Sequence, residues 1–105
     1  MKHIEYSLSN QDIDVILFTL SVLPSLELES SETQSEINYL NCLSAGKKLI
    51  ARNTNFSPNE LRVICASLRA ALCIARHEFK TDAETLKKCN DYFFSINRLS
   101  SVFDL

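Results

Sequence analysis

The stretch FSPNELRVICASL, residues 56–68, carries four signals that together mark the start of a helix. Ser57 is a favoured N-cap residue, and Pro58 suits the first helical position because its missing N–H would have no intrahelical partner there. Glu60 completes a capping box with Ser57, and the flanking Phe and Leu stand at the two positions of a hydrophobic staple. The stretch therefore predicts a helix that begins at Pro58.

The spacing of a capping box recurs at three further places, Ser9/Asp12, Thr33/Glu36 and Thr81/Glu84. At the second of these, Ser31/Gln34 is an equally good start. With the proline at position 24 and the stretch NTN as breaks, these signals predict four helices. The helices span residues 10–23, about 32–52, 58 to about 79, and 82 to about 101. Most connections between them are short, which favours antiparallel neighbours.

This pattern predicts an all-α fold, an antiparallel four-helix bundle made of two helical hairpins. Hairpin one covers residues 9–53 and hairpin two residues 57–101, within a single domain that spans residues 1–105. A chain of this length is one domain on grounds of size. Before the first helix, apolar and polar residues alternate over residues 4–8, which is the period of a short extended arm.

The two hairpins share a sequence pattern, because LSNQDIDVILFTLSVL from residue 8 aligns with FSPNELRVICASLRAA from residue 56. Identical pairs at this offset of 48 residues include Ser9/Ser57, Val15/Val63, Ile16/Ile64 and Leu20/Leu68, and similar pairs include Asp12/Glu60 and Thr19/Ser67. The second helices align only with a shifted offset. An internal duplication explains the match, and so does the general likeness of capped amphipathic helices.

Composition excludes several classes of function. The chain has one glycine, whereas phosphate loops and dinucleotide fingerprints need two or more at fixed offsets. The net charge of −2 argues against a general nucleic-acid or membrane coat. No apolar run approaches the ~20 residues of a membrane span, and the first residues lack the apolar core of a signal peptide. We therefore expect a cytoplasmic protein whose four cysteines are thiols.

The first and third helices are apolar on two sides. Besides the stripe that should face the core, a second apolar set comprises Val15, Phe18, Val22, Val63, Ala70 and Ile74. A helix that is apolar nearly all round is usually buried on more than one side. Either a subunit interface covers this second set, or the arm and loops cover it unusually fully. Because large apolar patches on a monomer favour association, we favour a homodimer interface or a groove for a partner.

The second helix should pack on the core through Leu40, Leu43 and Ile50, with the two lysines of residues 47–48 exposed. Gly46 lies in the middle of this helix, where glycine costs about 1 kcal/mol relative to alanine. The glycine either permits close contact between helices or is a weak point.

Arginines recur at seven-residue spacing on the third helix, about 10.5 Å apart along its axis. This row can contact carboxylates of a protein partner or phosphates of nucleic acid, or it can form a solvated edge whose stems cover apolar neighbours. The acidic residues after position 26 form either a solvated loop or a contact for a basic partner. The candidate partner-binding residues, including one aromatic anchor, are Arg62, Arg69, Arg76, Lys80, Tyr92, Glu27 and Glu29.

Cys73 and His77 have the spacing of two metal ligands, or of a thiol and a base, on one helix face. A zinc site needs at least one further ligand, and the chain contains no C-x-x-C pair. A catalytic thiol needs oxyanion donors, whereas backbone amides in the middle of a helix are already bonded. We therefore predict no metal, no cofactor and no enzymatic activity.

These observations favour a small non-enzymatic cytosolic interaction protein, a regulator or inhibitor that binds another protein and forms a homodimer. The alternatives are a nucleic-acid-binding regulator that uses the arginine row, and a metal or thiol site at Cys73 and His77. In general character the chain resembles the small helical proteins of bacteria and their phages, a resemblance that implies no particular site or partner.

Overall fold

The computed structural model describes residues 6–23 and 32–103, with side chains in the second range from Glu36 onwards. The predicted contact residues Glu27 and Glu29 lie outside the described residues. So do residues 4–5 of the predicted arm and the side chains of Ser31, Thr33 and Gln34 from the two predicted capping boxes at the start of the second helix.

The fold is all-α, as predicted, and the described residues contain no strand. The helices are α1 (Asn10–Val22), α2 (Glu32–Ile50), α3 (Pro58–Ala75), α4 (Ala83–Asp91) and α5 (Phe93–Val102). α3 lies at the centre and packs against each of the other four helices. α1 packs against α2, α3 and α5.

The predicted capping boxes begin α1 and α3. The Ser57 backbone N–H donates to the Glu60 carboxylate at 2.6 Å, and the Glu60 N–H donates to the Ser57 hydroxyl at 3.2 Å. Ser9 and Asp12 exchange the same two hydrogen bonds at 3.1 Å each. Both predicted helix starts are therefore confirmed.

α4 begins one residue later than predicted. Asp82, and not the preceding threonine, is the N-cap, because its carboxylate accepts from both the N–H and the hydroxyl of Thr85 at 2.8 Å. These hydrogen bonds lower the pKa of Asp82. The positive end of the helix dipole also stabilises a carboxylate at this position.

Two helices end in Schellman motifs without glycine. Arg52 and His77 adopt φ of 57° and 61°, the left-handed region that usually favours glycine. After α3, the Glu78 N–H donates to the Cys73 carbonyl and the His77 N–H to the Ile74 carbonyl, both at 2.9 Å. The prediction that the third helix continues to about residue 79 is therefore wrong, because the chain reverses at His77.

The prediction of one helix over residues 82–101 is also wrong, since the helix is interrupted at Tyr92. This residue, at φ −96° and ψ 9°, ends α4 and precedes α5. Its N–H still donates to the Lys88 carbonyl at 2.9 Å, and its carbonyl accepts from Ile96 at 2.8 Å. The preceding Asn90 and Asp91 have low helix propensity, which weakens the chain where it bends.

The predicted second apolar set lies mostly inside the single chain. Val15, Val22, Val63, Ala70 and Ile74 are buried in the core. Phe18 is half-buried, with its ring 5.8 Å from the Tyr92 ring and the Lys88 ammonium 5.8 Å from its centre. The prediction that this set forms an exposed interface is therefore wrong. The other helices packed around α3, and α5 packed against α1, cover both sides of these helices.

An aromatic cluster packs residue 6 onto the core. Tyr6 stacks on Phe103 with ring centroids 4.5 Å apart, and both rings contact Phe56 at 6.2–6.3 Å. Offset-stacked and edge-to-face arrangements of this kind are the favoured geometries for aromatic pairs. The cluster joins the segment before α1 to the ends of the second half of the chain.

Two buried hydroxyls meet where α1 crosses α3. The oxygens of Thr19 and Ser67 are 3.0 Å apart, and neither side chain is exposed. Thr19 also lies 2.9 Å from the Ile16 carbonyl, and Ser67 lies 2.8 Å from the Ile64 carbonyl. Two hydroxyl protons serve three contacts, so one hydroxyl donates to the other while the latter donates to its own helix. Thr19 and Ser67 are equivalent positions of the two hairpins, 48 residues apart, and so are Ile16 and Ile64.

The cap carboxylates of α1 and α3 each bind a cation from the other half of the chain. Glu60 of α3 accepts from Lys48 of α2 at 2.6 Å and from the Ser44 hydroxyl at 2.5 Å. Asp12 of α1 pairs with Arg98 of α5. Both carboxylates are buried, so these contacts are less screened than surface ion pairs.

We predict that Thr19→Val and Ser67→Ala are energetically coupled. Each single change should lower the free energy of unfolding by about 1 kcal/mol, and the double-mutant cycle should give a coupling of about 0.5–1.5 kcal/mol, the net value of one hydrogen bond. Denaturant unfolding of the four proteins measures it. Ser21→Ala is the matched control, because the Ser21 hydroxyl donates to the Phe18 carbonyl on an exposed surface. Additive effects of Thr19→Val and Ser67→Ala would contradict the prediction.

Glu60 should make stability depend on pH in the acid range. Burial acts to raise the pKa of Glu60, but hydrogen bonds from Lys48, Ser44 and Ser57 outweigh it and lower the pKa to about 2. An unfolded glutamate titrates near 4.3, so the unfolded state takes up the proton first as pH falls. The contribution is complete above about pH 5 and is lost as pH falls towards 2, a total of about 3 kcal/mol.

Denaturant unfolding between pH 2 and 7 tests this contribution. Glu60→Gln should flatten the pH profile in that window. Asp14→Asn, the same change at an exposed position of α1, should leave the slope intact. Equal slopes for Glu60→Gln and the unchanged protein would contradict the assignment.

Candidate functional site

An apolar groove lies between α1 and α2. Its volume is about 650 Å³. Leu17 and Leu20 line it from α1, and Tyr39, Leu43 and Ile50 line it from α2. Grooves between helices are frequent binding sites, and an apolar lining is typical of them.

The groove exists because α2 presents its larger apolar residues to solvent. Tyr39, Leu43 and Ile50 are 51%, 44% and 71% exposed. Five of the eight exposed large apolar side chains among the described residues belong to α2, the other two being Ile37 and Leu40. Scattered apolar residues are normal on a surface, whereas a contiguous patch marks an interaction site. Tyr39, Leu43 and Ile50 share one helix face and form such a patch along the groove.

The predicted orientation of α2 is therefore wrong, because Leu40, Leu43 and Ile50 are exposed. The helix packs on the core through a different stripe, formed by Cys42, Ala45 and Leu49. The cause is the contact with Glu60, which accepts from both Lys48 and Ser44. These two donors face α3, so Leu43 and Ile50, on the other side of α2, face outwards. Lys48 is accordingly only half-exposed, while Lys47 is exposed as predicted.

Gly46 lines the groove, but packing within the chain does not require a glycine there. A Cβ at this position would lie 3.6 Å from Leu17 Cδ2, an ordinary van der Waals contact. Glycine inside a helix is less favourable than alanine. The absent side chain leaves room for a partner to approach the backbone of α2.

The three predicted arginines belong to α3 and its C-cap. Arg62 and Arg69 are exposed on α3 and line a smaller cleft of about 300 Å³, together with Cys65 and Phe103. The Arg62 side chain pairs with Asn59. Arg76 is the exposed C-cap residue, and its N–H still donates to the Leu72 carbonyl at 3.0 Å. The arginine row therefore stays a candidate contact, with its third member at the end of the helix.

The other predicted contact residues do not gather at one place. Lys80 is exposed in the segment after α3, beyond the reversal at His77. Tyr92 is half-buried, and its ring packs against Phe18 of α1. Neither residue lines the groove between α1 and α2.

Cys73 and His77 do not share a helix face, because α3 ends at Ala75 and His77 takes a left-handed conformation. Burial, and next the neighbouring Glu78 carboxylate, raise the pKa of the Cys73 thiol. Burial also raises the pKa of Cys42 and Cys89. Raised values disfavour the reactive thiolate. Within residues 6–23 and 32–103, no group of three potential metal ligands occurs.

Sequence reasoning missed the groove although its signal is visible. Tyr39, Leu43, Gly46 and Ile50 follow one another at steps of four, three and four, the spacing of one helix face. Cys42, Ala45 and Leu49 form a second stripe with similar spacing. By size alone, the stripe that contains Tyr39 and Ile50 would be expected in the core. The ion pair between Lys48 and Glu60 instead places the stripe of Cys42, Ala45 and Leu49 there.

No helix among the described residues has the length and apolar character to cross a bilayer. Comparison with protein-family models, with curated proteins and with solved structures finds no match.

We predict that Gly46→Ala stabilises the chain. Alanine has the higher helix propensity and its methyl group has space against Leu17, so the free energy of unfolding should rise by about 0.5–1 kcal/mol. Denaturant unfolding at a protein concentration low enough for the chain to be monomeric measures the change. A loss of stability would show that the backbone of α2 already packs too closely for a methyl group.

Proposed function

We propose that the protein is a small non-enzymatic interaction protein of the cytoplasm, a regulator or inhibitor that acts by binding a helix of a protein partner in the groove between α1 and α2. The observation that carries this proposal is the exposed apolar face of α2, on which Leu43 and Ile50 line the groove while the core is filled by other residues. An amphipathic helix that lies in a groove is a recurrent mode of recognition.

The dimensions of the groove support a helical partner. From Tyr39 to Ile50 the wall formed by α2 is about 16 Å long at 1.5 Å per residue, which matches three turns of a partner helix. Both walls are helices, so a third helix can pack its ridges into the space between them. Lys47 lines the same groove and adds one positive charge to it.

The described surfaces favour binding of a protein partner over recognition of nucleic acid. Arg62, Arg69 and Arg76 are only three cations, on a chain of net charge −2. Nucleic-acid affinity depends on several neutralised phosphates at once. The groove, in contrast, is bounded by apolar side chains that phosphates cannot use.

We further propose that the fold is a doubled hairpin, arranged as an antiparallel four-helix bundle whose last helix is bent. The buried contact joins Thr19 to Ser67, which are equivalent positions of the two halves. The equivalent caps Asp12 and Glu60 take their cations reciprocally from the opposite half. Such reciprocity is typical of two-fold symmetric interfaces.

Photo-crosslinking tests the binding proposal. A photoreactive aromatic amino acid replaces Tyr39 in the full chain, which is irradiated in a lysate of the organism that encodes it. We expect adducts whose partner peptide belongs to one amphipathic helical segment. Leu43→Glu in the same chain should abolish the adducts, because it places a charge in the apolar groove.

The control uses Val102, which is 43% exposed, compared with 44% for Leu43, and which does not line the groove. Val102→Glu should leave the adducts at position 39 unchanged. The proposal fails if position 39 gives no adduct, or if Leu43→Glu and Val102→Glu have the same effect. Circular dichroism of each variant establishes that the helices persist.

A further inference from the structure

The exposed face of α2 has the spacing of a coiled-coil seam. Tyr39, Leu43, Gly46 and Ile50 follow steps of four, three and four residues, and all four line the groove. Glu36 stands seven residues before Leu43 and is exposed. Apolar residues at this spacing on an exposed helix favour packing against another helix of similar pattern.

This seam is complementary to itself. Two copies of α2 can lie antiparallel in a register that places all four seam residues in contact with another seam residue. In that register, Leu43 of one copy lies opposite Gly46 of the second, and Gly46 lies opposite Leu43. Tyr39 of each copy lies opposite Ile50 of the other. The largest aliphatic residue near the centre therefore meets the one position without a side chain, which is the large-to-small match that close helix packing requires.

The charges at the ends of α2 agree with the same register. Glu36 of one copy comes close to Arg52 of the second, and the two-fold axis repeats this pair at the other end. Both residues are exposed. Arg52 pairs with Asn10 within its own chain, but a guanidinium has five N–H donors and can contact a carboxylate as well. Opposite charges at helix flanks specify partner and orientation in helical pairs.

We infer that the groove between α1 and α2 receives α2 of a second copy of this chain, antiparallel, with Leu43 packed on Gly46, so that the protein is a homodimer through α2. This inference rests on the proposed function and names its partner. The symmetric arrangement places each α2 in the groove of the other copy. It also accounts for Gly46, whose missing side chain is not needed within the single chain.

Light scattering coupled to size-exclusion chromatography, over roughly a hundredfold range of protein concentration, gives the first measurement. We expect a mass of about twice the 11.9 kDa of one chain. Gly46→Leu should give the monomer, because two leucines would then meet at both central contacts, one on each side of the two-fold axis. Leu43→Gly should weaken the dimer because it removes the central contact.

The decisive variant is the exchange Leu43→Gly with Gly46→Leu, which restores one large and one small residue at each contact. It should return the mass to that of the dimer. Val102→Glu is the control for an exposed apolar residue outside the groove, and should remain dimeric. A wild-type chain that stays monomeric overturns the inference, as does an exchange variant that stays monomeric while its helices persist.

Charge exchange provides a second test with variants confined to exposed residues. Glu36→Arg and Arg52→Glu should each raise the dimer dissociation constant about fivefold to thirtyfold, since each introduces like charges at two places. The combined variant should return to within about threefold of the original value. Sedimentation equilibrium measures all four proteins. If the combined variant is weaker than either single change, the antiparallel register is wrong and the inference falls.

The outcome is distinguishable from failure of the proposed function. A monomeric chain that still gives adducts from position 39 to another protein overturns the second-copy inference and leaves the binding proposal standing. A monomeric chain without adducts overturns both. A dimer that Leu43→Glu does not dissociate uses another face, and this result overturns the inference.

Discussion

The buried hydroxyl contact between Thr19 and Ser67 sets the position of α1 on α3, and much of the remaining packing depends on it. Hydrophobic burial has no direction, so an apolar crossing of two helices is held in place only by the fit of its side chains. A buried hydroxyl must instead keep its hydrogen-bond partners or lose about 1–3 kcal/mol. None of the buried side-chain nitrogen and oxygen atoms in the described residues lacks such a partner. The alignment of α1 and α3 that keeps this hydrogen bond is therefore more stable than alignments shifted along the helices.

With that crossing in place, the two helix caps become sites of attachment for the other half of the chain. Asp12 accepts the cap N–H with one oxygen and binds Arg98 with the other. Glu60 uses Oε1 for both the Ser57 N–H and the Lys48 ammonium, and Oε2 for the Ser44 hydroxyl. A cap that also binds α2 or α5 couples the start of a helix to the orientation of its neighbour. For α2, two donors on one side, Ser44 and Lys48, are turned towards α3. The apolar residues on the opposite side of α2 are exposed as a direct consequence.

Local signals in the sequence predicted the helix starts well, because a capping box is completed within four residues. The ends were less predictable, since Arg52 and His77 take a left-handed conformation in which glycine would be the usual residue. The orientation of α2 could not be read from periodicity, because the helix carries two apolar stripes. The choice between them depends on Glu60, which lies in another helix and 12 residues from Lys48. The groove was missed for the same reason, since it consists of the stripe that the core does not use.

The proposed doubling of the hairpin explains where the two halves agree and where they differ. The identical positions Val15/Val63, Ile16/Ile64 and Leu20/Leu68 are all buried, so the inner faces have kept one pattern. The outer faces have diverged. Leu17 and Ser21, which line the apolar groove, correspond to Cys65 and Arg69, which line the smaller cleft with charged edges. A doubled hairpin with two equal apolar grooves could chain copies together without limit. An apolar groove on only one of the two halves, as in the part of the chain that the structure describes, allows a closed two-fold pair instead, because a self-complementary contact that is used once leaves no second surface of the same kind.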